Sequence, residues 1–583
     1  MRGGKYMKMK RVAMVVLASM LACGSLTACG GDKEKVDKTK TQLYVTTFEG
    51  GYGVGWLQAI KTRFEEAYAD VSFESGKTGV QVFIKEDRNL THELLVQNLE
   101  GSPQEVFFTE AVNYYDLQER GLLYDISDAV TQPLNYDFNS KSTAADEETV
   151  SVESKMRKNH QDYFKAQDGK YYGIPFYEAN YGIIYDIDLF EKELLYFAAP
   201  GAGDNKGFIK SETSARSAGP DGQTGTSDDG LPATYDDFFK LCDNMVSKKI
   251  TPITWNGKNP QYMNALVEGL QADYEGEESM LINYTNQGTA TLVKKVNDDG
   301  SLELYEEEIT PDNGYLTWTR QAGKYYGLQF AERLVENESY YIKKDVVSPS
   351  YEHLDAQNAF ITGKFIPGNP TIGMLVDGSW WHNEASDTFK AAAKKFGAKV
   401  AGANARRFGF MALPKATEDK VGEDFTILEV NRSICFVNGN LNPKKDALVK
   451  EFLQFCHTNK SLAEFTTSTL TCKPYTYTMT EEELTSMPYW GQELYKMHNE
   501  AHFMSTYSKS EVYKLNEGAY TEYWNAKMFK TQIKESEYAF NEYNVVTNSM
   551  ILNDVSAKAY FEGLSAYLTK ERWQTEFMPV DQE

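Results

Sequence analysis

The chain has 583 residues, enough for two or three structural units at roughly 100–200 residues each. Its 60 Lys and Arg stand against 84 Asp and Glu, a formal charge of −24, which argues against nucleic acid as a partner because such a binder needs a basic face to displace counterions. Hydrophobic residues at 41% and aromatics at 13% exclude disorder over most of the chain, and no uncharged apolar run reaches the roughly 20 residues of a membrane span.

Residues 1–28 carry Arg2, Lys5, Lys8, Lys10 and Arg11 and no acid, and an uncharged stretch runs from Val12 to Ala28. A basic start, an apolar middle and small residues before a cut site make a secretory signal. Leu26-Thr27-Ala28-Cys29 resembles the lipobox of bacterial lipoproteins, with Cys29 as the lipid-modified residue; Leu21-Ala22-Cys23 is the weaker alternative, and a plain signal peptide the bland one. Residues 29–41 are small and charged, a tether with nothing to bury. The expected location is the extracellular face of a cell membrane, held there by lipid.

The body opens with a β-branched and aromatic run, Leu43 to Phe48, then a glycine-rich turn, Gly50 to Gly55, then Trp56, Ile60, Phe64 and Tyr68 at helical spacing. Val80–Ile84 and Glu105–Thr109 read as further strands, with a helix between them. Strands alternating with helices predict a parallel or mixed sheet covered by helices. Asp168–Pro175 reads as a hairpin leading to a strand at Gly182–Tyr185, and residues 200–233 as an irregular insertion. Ile372–Val376, Phe408–Leu413 and Ser433–Val437 are predicted strands; Asn442-Pro443 caps a helix, and the chain beyond about residue 480 reads as wholly helical.

In order and spacing these segments resemble the family 1 extracellular solute-binding proteins of ATP-binding-cassette importers, especially the sugar-binding ones. The features that carry the resemblance run from about residue 42 to 475: the opening strand, turn and Trp56 helix; Pro103 to Phe108; Gly121 to Ile126; Gly169 to Pro175; Phe360 to Lys364; Gly373 to Leu375; Asp377-Gly378-Ser379-Trp380; and the helix after Asn442-Pro443, ending near Lys473-Pro474. The resemblance implies an α/β fold of two lobes, periplasmic-binding-protein-like and of type II, with ligand in the cleft between them. It places residues 42–178 and 346–381 in lobe 1 and 179–345 and 382–475 in lobe 2. The lobe crossings would lie near Pro175–Tyr185, Val376–Trp381 and Pro474, and residues 476–583 form a helical extension beyond the family's usual length. It further implies a monomeric, non-enzymatic protein that captures a carbohydrate and hands it to membrane permease subunits of an importer, with no cofactor required. An extracellular glycoside hydrolase or lyase is the rival, because 84 acids guarantee chance carboxylate pairs; an adhesion or scaffold protein is the third class.

Ligands of open α/β sheets gather at the carboxyl ends of strands. That argument selects Glu49 and Tyr52 after the first strand and Glu110 after the third, the alternative being a tight turn and a solvated acid. A sugar presents a C–H face that stacks on aromatic rings and hydroxyls that need polar partners. Tyr177 and Glu178, Trp255 and Asn256, and Asp377 with Trp380 and Trp381 combine the two, against the ordinary alternative of core packing. Asp221, Asp228 and Asp229, in a Gly-rich stretch without EF-hand spacing, are a candidate structural Ca2+ site or else a surface loop. Gly51-x-Gly53-x-x-Trp56 lacks the third glycine of a dinucleotide fingerprint, and His498–His502 lacks the zincin Glu after its first His. Cys242, Cys435, Cys456 and Cys472 allow disulfides outside the cell or remain buried thiols.

Overall fold

Leu43 and Val45 point to one side of β1 (Thr41–Phe48) and are fully buried, so the strand needs partners on both edges. The computed structural model supplies them. It describes residues 34–578 except 89, 111, 140–148, 260, 425, 430–432, 522–525, 536–537 and 544–545. β2 (Val80–Asp87) and β3 (Val106–Glu110) flank β1, both parallel to it. The helix Gly55–Ala67 makes the first crossover and buries Trp56, Leu57, Ile60 and Phe64.

The chain then enters a second sheet. β4 (Tyr181–Asp186) and β5 (Ile250–Thr254) precede the long helix Gln261–Thr285, a hairpin of β6 (Gly288–Val296) and β7 (Leu302–Ile309), and the helices Ala322–Glu336 and His353–Thr362. β8 (Thr371–Gly378) lies parallel to β5 and antiparallel to β4, and β9 (Phe408–Phe410) closes the order β5-β8-β4-β9. After β10 (Thr426–Glu429) the chain returns to the first sheet as β11 (Ser433–Val437), antiparallel to β3, giving β11-β3-β1-β2. The helices Asp446–Cys456 and Asn459–Thr469 pack on Gly55–Ala67. The result is two α/β lobes, each with its own sheet and core.

The division of the chain between the lobes differs from the sequence expectation. Within residues 346–381, β8 is central in the second sheet, because seven of its eight residues are buried and need neighbours on both sides. Within residues 382–475, β11 and the two helices after it belong to lobe 1. Val376–Trp381 is therefore no crossing. The chain passes between the lobes at Tyr177–Asn180, between Glu429 and Ser433, and at Thr471–Tyr475, and the first and third of these lie side by side. Ile174 bridges Cys435, Asn180 bridges Glu429, and the amide of Glu178 donates to the Cys472 carbonyl at 2.9 Å.

Nor is the tail wholly helical. β12 (His502–Ser505) pairs in parallel with β10, and β13 (Thr531–Glu535) pairs with β14 (Tyr538–Tyr543). The tail is tied to both lobes. Trp490 packs on Trp381 and Phe410 of lobe 2, and its indole donates to the Ser379 carbonyl. Tyr507 stacks on Tyr163, whose hydroxyl donates to Glu517. The helix Ala557–Tyr567 lies along Ala322–Glu336. The four described cysteines are buried free thiols, and no described helix is long and apolar enough to cross a membrane. Cys29 and the signal segment lie outside the described residues.

Trp573, in the last helix Lys570–Glu576, tests whether the tail is part of the fold. It is fully buried against Trp318 and Phe577, and its indole donates to the Pro311 carbonyl at 2.8 Å. Trp573→Ala should cost about 3–5 kcal/mol of stability, read by denaturant unfolding; an unchanged midpoint would mean that the extension is dispensable.

Candidate functional site

The carboxyl ends of β1 and β3 face the segment after β8 across a cleft of about 920 Å3. Lobe 1 supplies Glu49, the Gly50–Gly53 turn, Arg88, Glu110 and Tyr177. Lobe 2 supplies Tyr181, Asn259, Tyr262, His353, Trp380, Asn383 and Glu384. Glycine is required where the lobes meet: a Cβ on Gly51 would stand 2.6 Å from the Trp380 ring and 2.9 Å from Glu384 Cβ. The Asn383 side-chain amide donates to the Tyr52 carbonyl at 2.5 Å, a hydrogen bond across the cleft.

Aromatic rings form the walls. Tyr52 and Tyr177 lie 4.5 Å apart, Tyr181 meets Trp380 edge-on at 4.7 Å, and Tyr262 meets Tyr181 edge-on at 5.0 Å. The Trp380 ring lies over Gly378, where a Cβ would be 2.2 Å from it. Tyr177 donates its hydroxyl to Glu110. Burial, with the Glu110 charge added, holds the phenols of Tyr52 and Tyr177 well above their ordinary value, so both remain neutral donors.

Behind Trp380 runs a polar chain. His353 Nε2 lies 3.4 Å from Glu384, and Gln357 donates to Glu384 at 2.7 Å and to Asp377 at 3.1 Å. The Gly378 amide donates to the other Asp377 oxygen at 2.7 Å. Burial first, and the Glu384 charge second, push Asp377 up to about 8. The hydrogen bond to Glu384 raises His353.

Of the residues selected from sequence, Glu49, Tyr52, Glu110, Tyr177 and Trp380 line the cleft, and Asp377 sits one layer beneath. Four do not line it. Side chains alternate along extended backbone, so Glu178 points away from Tyr177 and is buried against Arg157 and His498. Trp255 is 1% exposed and packs on Tyr341 in the lobe 2 core. Trp381 is fully buried among Phe360, Phe408 and Trp490. Asn256 is buried too, but its side-chain oxygen accepts from the Asn259 amide at 2.7 Å and so shapes the loop that brings Asn259 to the cleft. Sequence reasoning missed Arg88, Tyr181, Tyr262, His353 and Glu384. The strand-end argument applied to β2 would have found Arg88; the others enter through the lobe 2 topology.

The Asp221, Asp228 and Asp229 carboxylates face donors of their own loop. Asp228 accepts from the Asp221 amide and the Thr226 hydroxyl, Asp229 from the Gly225 amide, and Asp221 from the Gln223 amide. Among the described residues the His, Cys, Asp or Glu ligand atoms that converge within 4.8 Å are those of Glu178, Cys472 and His498, where Arg157 already provides the positive charge. The Asp loop's own hydrogen bonds staple it, while the buried Oδ1 of Asp229 makes none among the described residues.

No family model matches the chain, and no curated protein matches its sequence. Solved structures do. One titled a chitin oligosaccharide binding protein superposes with a TM-score of 0.53 at 14% identity, over 92% of this chain and 99% of that one. A family 1 extracellular solute-binding protein from Bifidobacterium longum subsp. infantis gives 0.45 at 14% identity with the same coverage. The first of these likenesses shows that this chain, with the two sheets described above, shares that protein's fold.

The buried Asp377 makes a pH prediction. The folded protein holds its proton to about pH 8, whereas the ordinary value is 3.8, so this group makes folding less favourable as pH rises between those limits. Asp377→Asn should remove that part of the decline. Denaturant titrations at several pH values would show it, and parallel stability curves for the two proteins would contradict the assignment.

Proposed function

We propose that the protein is an extracellular solute-binding protein that captures a carbohydrate, of oligosaccharide length, between its lobes and delivers it to an ATP-binding-cassette importer. The observation that carries this reading is the cleft wall: Trp380 and four tyrosines line it, with Glu49, Glu110, Glu384, Asn259 and Asn383 as acceptors and donors beside them. Sugar rings need both kinds of surface. The shared fold of a protein named for binding chitin oligosaccharide supports it. Closure on ligand would present the liganded form to the permease, the differential contacts being those made by both lobes at once.

On this reading Cys29 carries the lipid that holds the protein at the membrane face, since two acyl chains anchor stably where one does not. Cys29→Ser should move the protein from the detergent phase to the aqueous phase or leave it unprocessed; a variant still lipid-labelled would refute the anchor. The fold favours capture over turnover, and an oligosaccharide recovered intact after prolonged incubation with the protein is the expected result.

Adjacent tryptophans separate site from core. Trp380→Ala should weaken sugar binding by about 1–3 kcal/mol, the value of one large side chain, which is roughly a five- to 150-fold rise in Kd. Trp381→Ala should instead cost about 3–5 kcal/mol of stability. Calorimetry and thermal unfolding on both variants decide the matter, and parental affinity in folded Trp380→Ala would remove that residue from the site.

A further inference from the structure

The cleft does not stop at Trp380. Asn383 and Ser386, which line it on lobe 2, also line a second hollow of about 380 Å3. On lobe 1, Ser468 belongs to the cleft and Leu470, two residues on, to the hollow. Leu470 ends the helix Asn459–Thr469 in the left-handed region, at φ 59°, which few residues with a Cβ adopt. The two spaces therefore adjoin at residues of both lobes, and the tail adds Pro488 to the wall of the second.

The hollow differs from the cleft in character. Its lining is mainly apolar, with Phe389 and Ala393 of the helix Ser386–Phe396 facing the same space as Leu470 and Pro488. Lys390 and Asn404 are exposed at its rim. His382 is its buried polar member. That residue is 2% exposed, its ring packs on Phe389 at 4.5 Å and lies parallel to Trp490 at 6.5 Å, and its Nε2 makes no hydrogen bond among the described residues. Burial first, and the Arg406 charge second, hold the imidazole down at about 3, so it is neutral, with one donor and one acceptor. A buried polar atom without a partner is destabilising until something meets it.

A ligand longer than the cleft has a continuous path past Asn383 and Ser386 into this space. A sugar ring can lay its C–H face on the apolar floor, where the gain grows with the apolar area removed from water. One of its hydroxyls can meet the imidazole while the others face the open rim. A charged unit would lose its water there against side chains that return nothing.

We propose that the hollow is a second sugar subsite, which takes a neutral terminal unit of an oligosaccharide whose other units occupy the cleft. This inference rests on the carbohydrate reading above and adds a length requirement: a short oligomer fills the cleft alone, and a longer one gains the hollow as well. It also gives the tail, through Pro488, a part in the ligand site.

Calorimetry on the full chain with neutral oligosaccharides from dimer to octamer, in the cello, malto, xylo and N-acetylchito series, tests it. Within a series that binds, affinity should rise at least about tenfold at the length that reaches the hollow, the effect of burying one further apolar face, and level off beyond it. Ala393→Trp fills the hollow from a half-buried position and should remove that rise while shorter oligomers keep parental affinity. Asn404→Trp, from the exposed rim, is a second filling variant should the first not fold. Affinity independent of length in the parent, or a rise that survives in the folded filling variant, overturns the subsite; carbohydrate capture then stands and the hollow belongs to another occupant. If no oligomer of any series binds, both readings fail.

Discussion

The link between the two lobes is organised around one half-buried guanidinium. Arg157 reaches Glu178 in the first lobe crossing and Glu429 beside the second, and its Nη2 lies 3.1 Å from His498 Nδ1 in the tail helix Tyr489–Glu500. Glu178 in turn ties its amide to Cys472 in the third crossing. Burial alone would raise the Glu178 carboxyl; Arg157 and then His498 outweigh it and hold it below its ordinary value. Removing one member would strand an uncompensated charge in the interior, a far larger penalty than the pair's net contribution to stability. The first and third crossings are thereby held as one ribbon beside the end of β10, and the cleft residues on either side of it keep a common frame.

That frame explains why the tail belongs to the fold. Its helix Tyr489–Glu500 places Trp490 against Trp381 in lobe 2 and His498 at the crossings, and Glu517 a little further on accepts from Tyr163 and the Tyr115 amide in lobe 1. A segment bound to both lobes and to the ribbon between them limits how far the lobes can part. The hydrogen bond from Asn383 to the Tyr52 carbonyl and the seating of Gly51 under Trp380 join the lobes across the cleft.

The first lobe was legible because its signals are local. β1, the Gly turn and the Trp56 helix follow each other within 27 residues, from Thr41 to Ala67, and their periodicity shows which faces are buried. The lobe boundaries were not, because a fully buried strand such as β8 looks the same in either sheet, and only pairing decides. The same limit governed the site. Trp380 and Trp381 are neighbours with identical side chains, yet one ring covers Gly378 at the cleft while the other enters the core with Phe408. Strand-end reasoning located Glu49 and Glu110, whereas Tyr262 and His353 come from helix starts whose direction is set by packing between residues far apart in sequence.

Lys473 shows what else composition and spacing conceal. It is fully buried, and its ammonium has no hydrogen-bond partner among the described residues. It lies 4.8 Å from the Trp56 ring and 4.9 Å from Phe465, with Phe108 and Phe176 at 5.4 Å. Four ring faces replace part of the water that the cation loses, and burial still lowers the amine to about 8. Phe176 precedes Tyr177, and Phe465 and Phe176 also pack on Tyr52. The rings that hold the cation therefore support the two tyrosines on the lobe 1 wall. Since Lys473 belongs to the third crossing, that crossing is rooted in the lobe 1 core directly beneath the cleft. Ribbon and cleft floor are in this way one packed unit, with the ring cage joining what Arg157 holds from the other side.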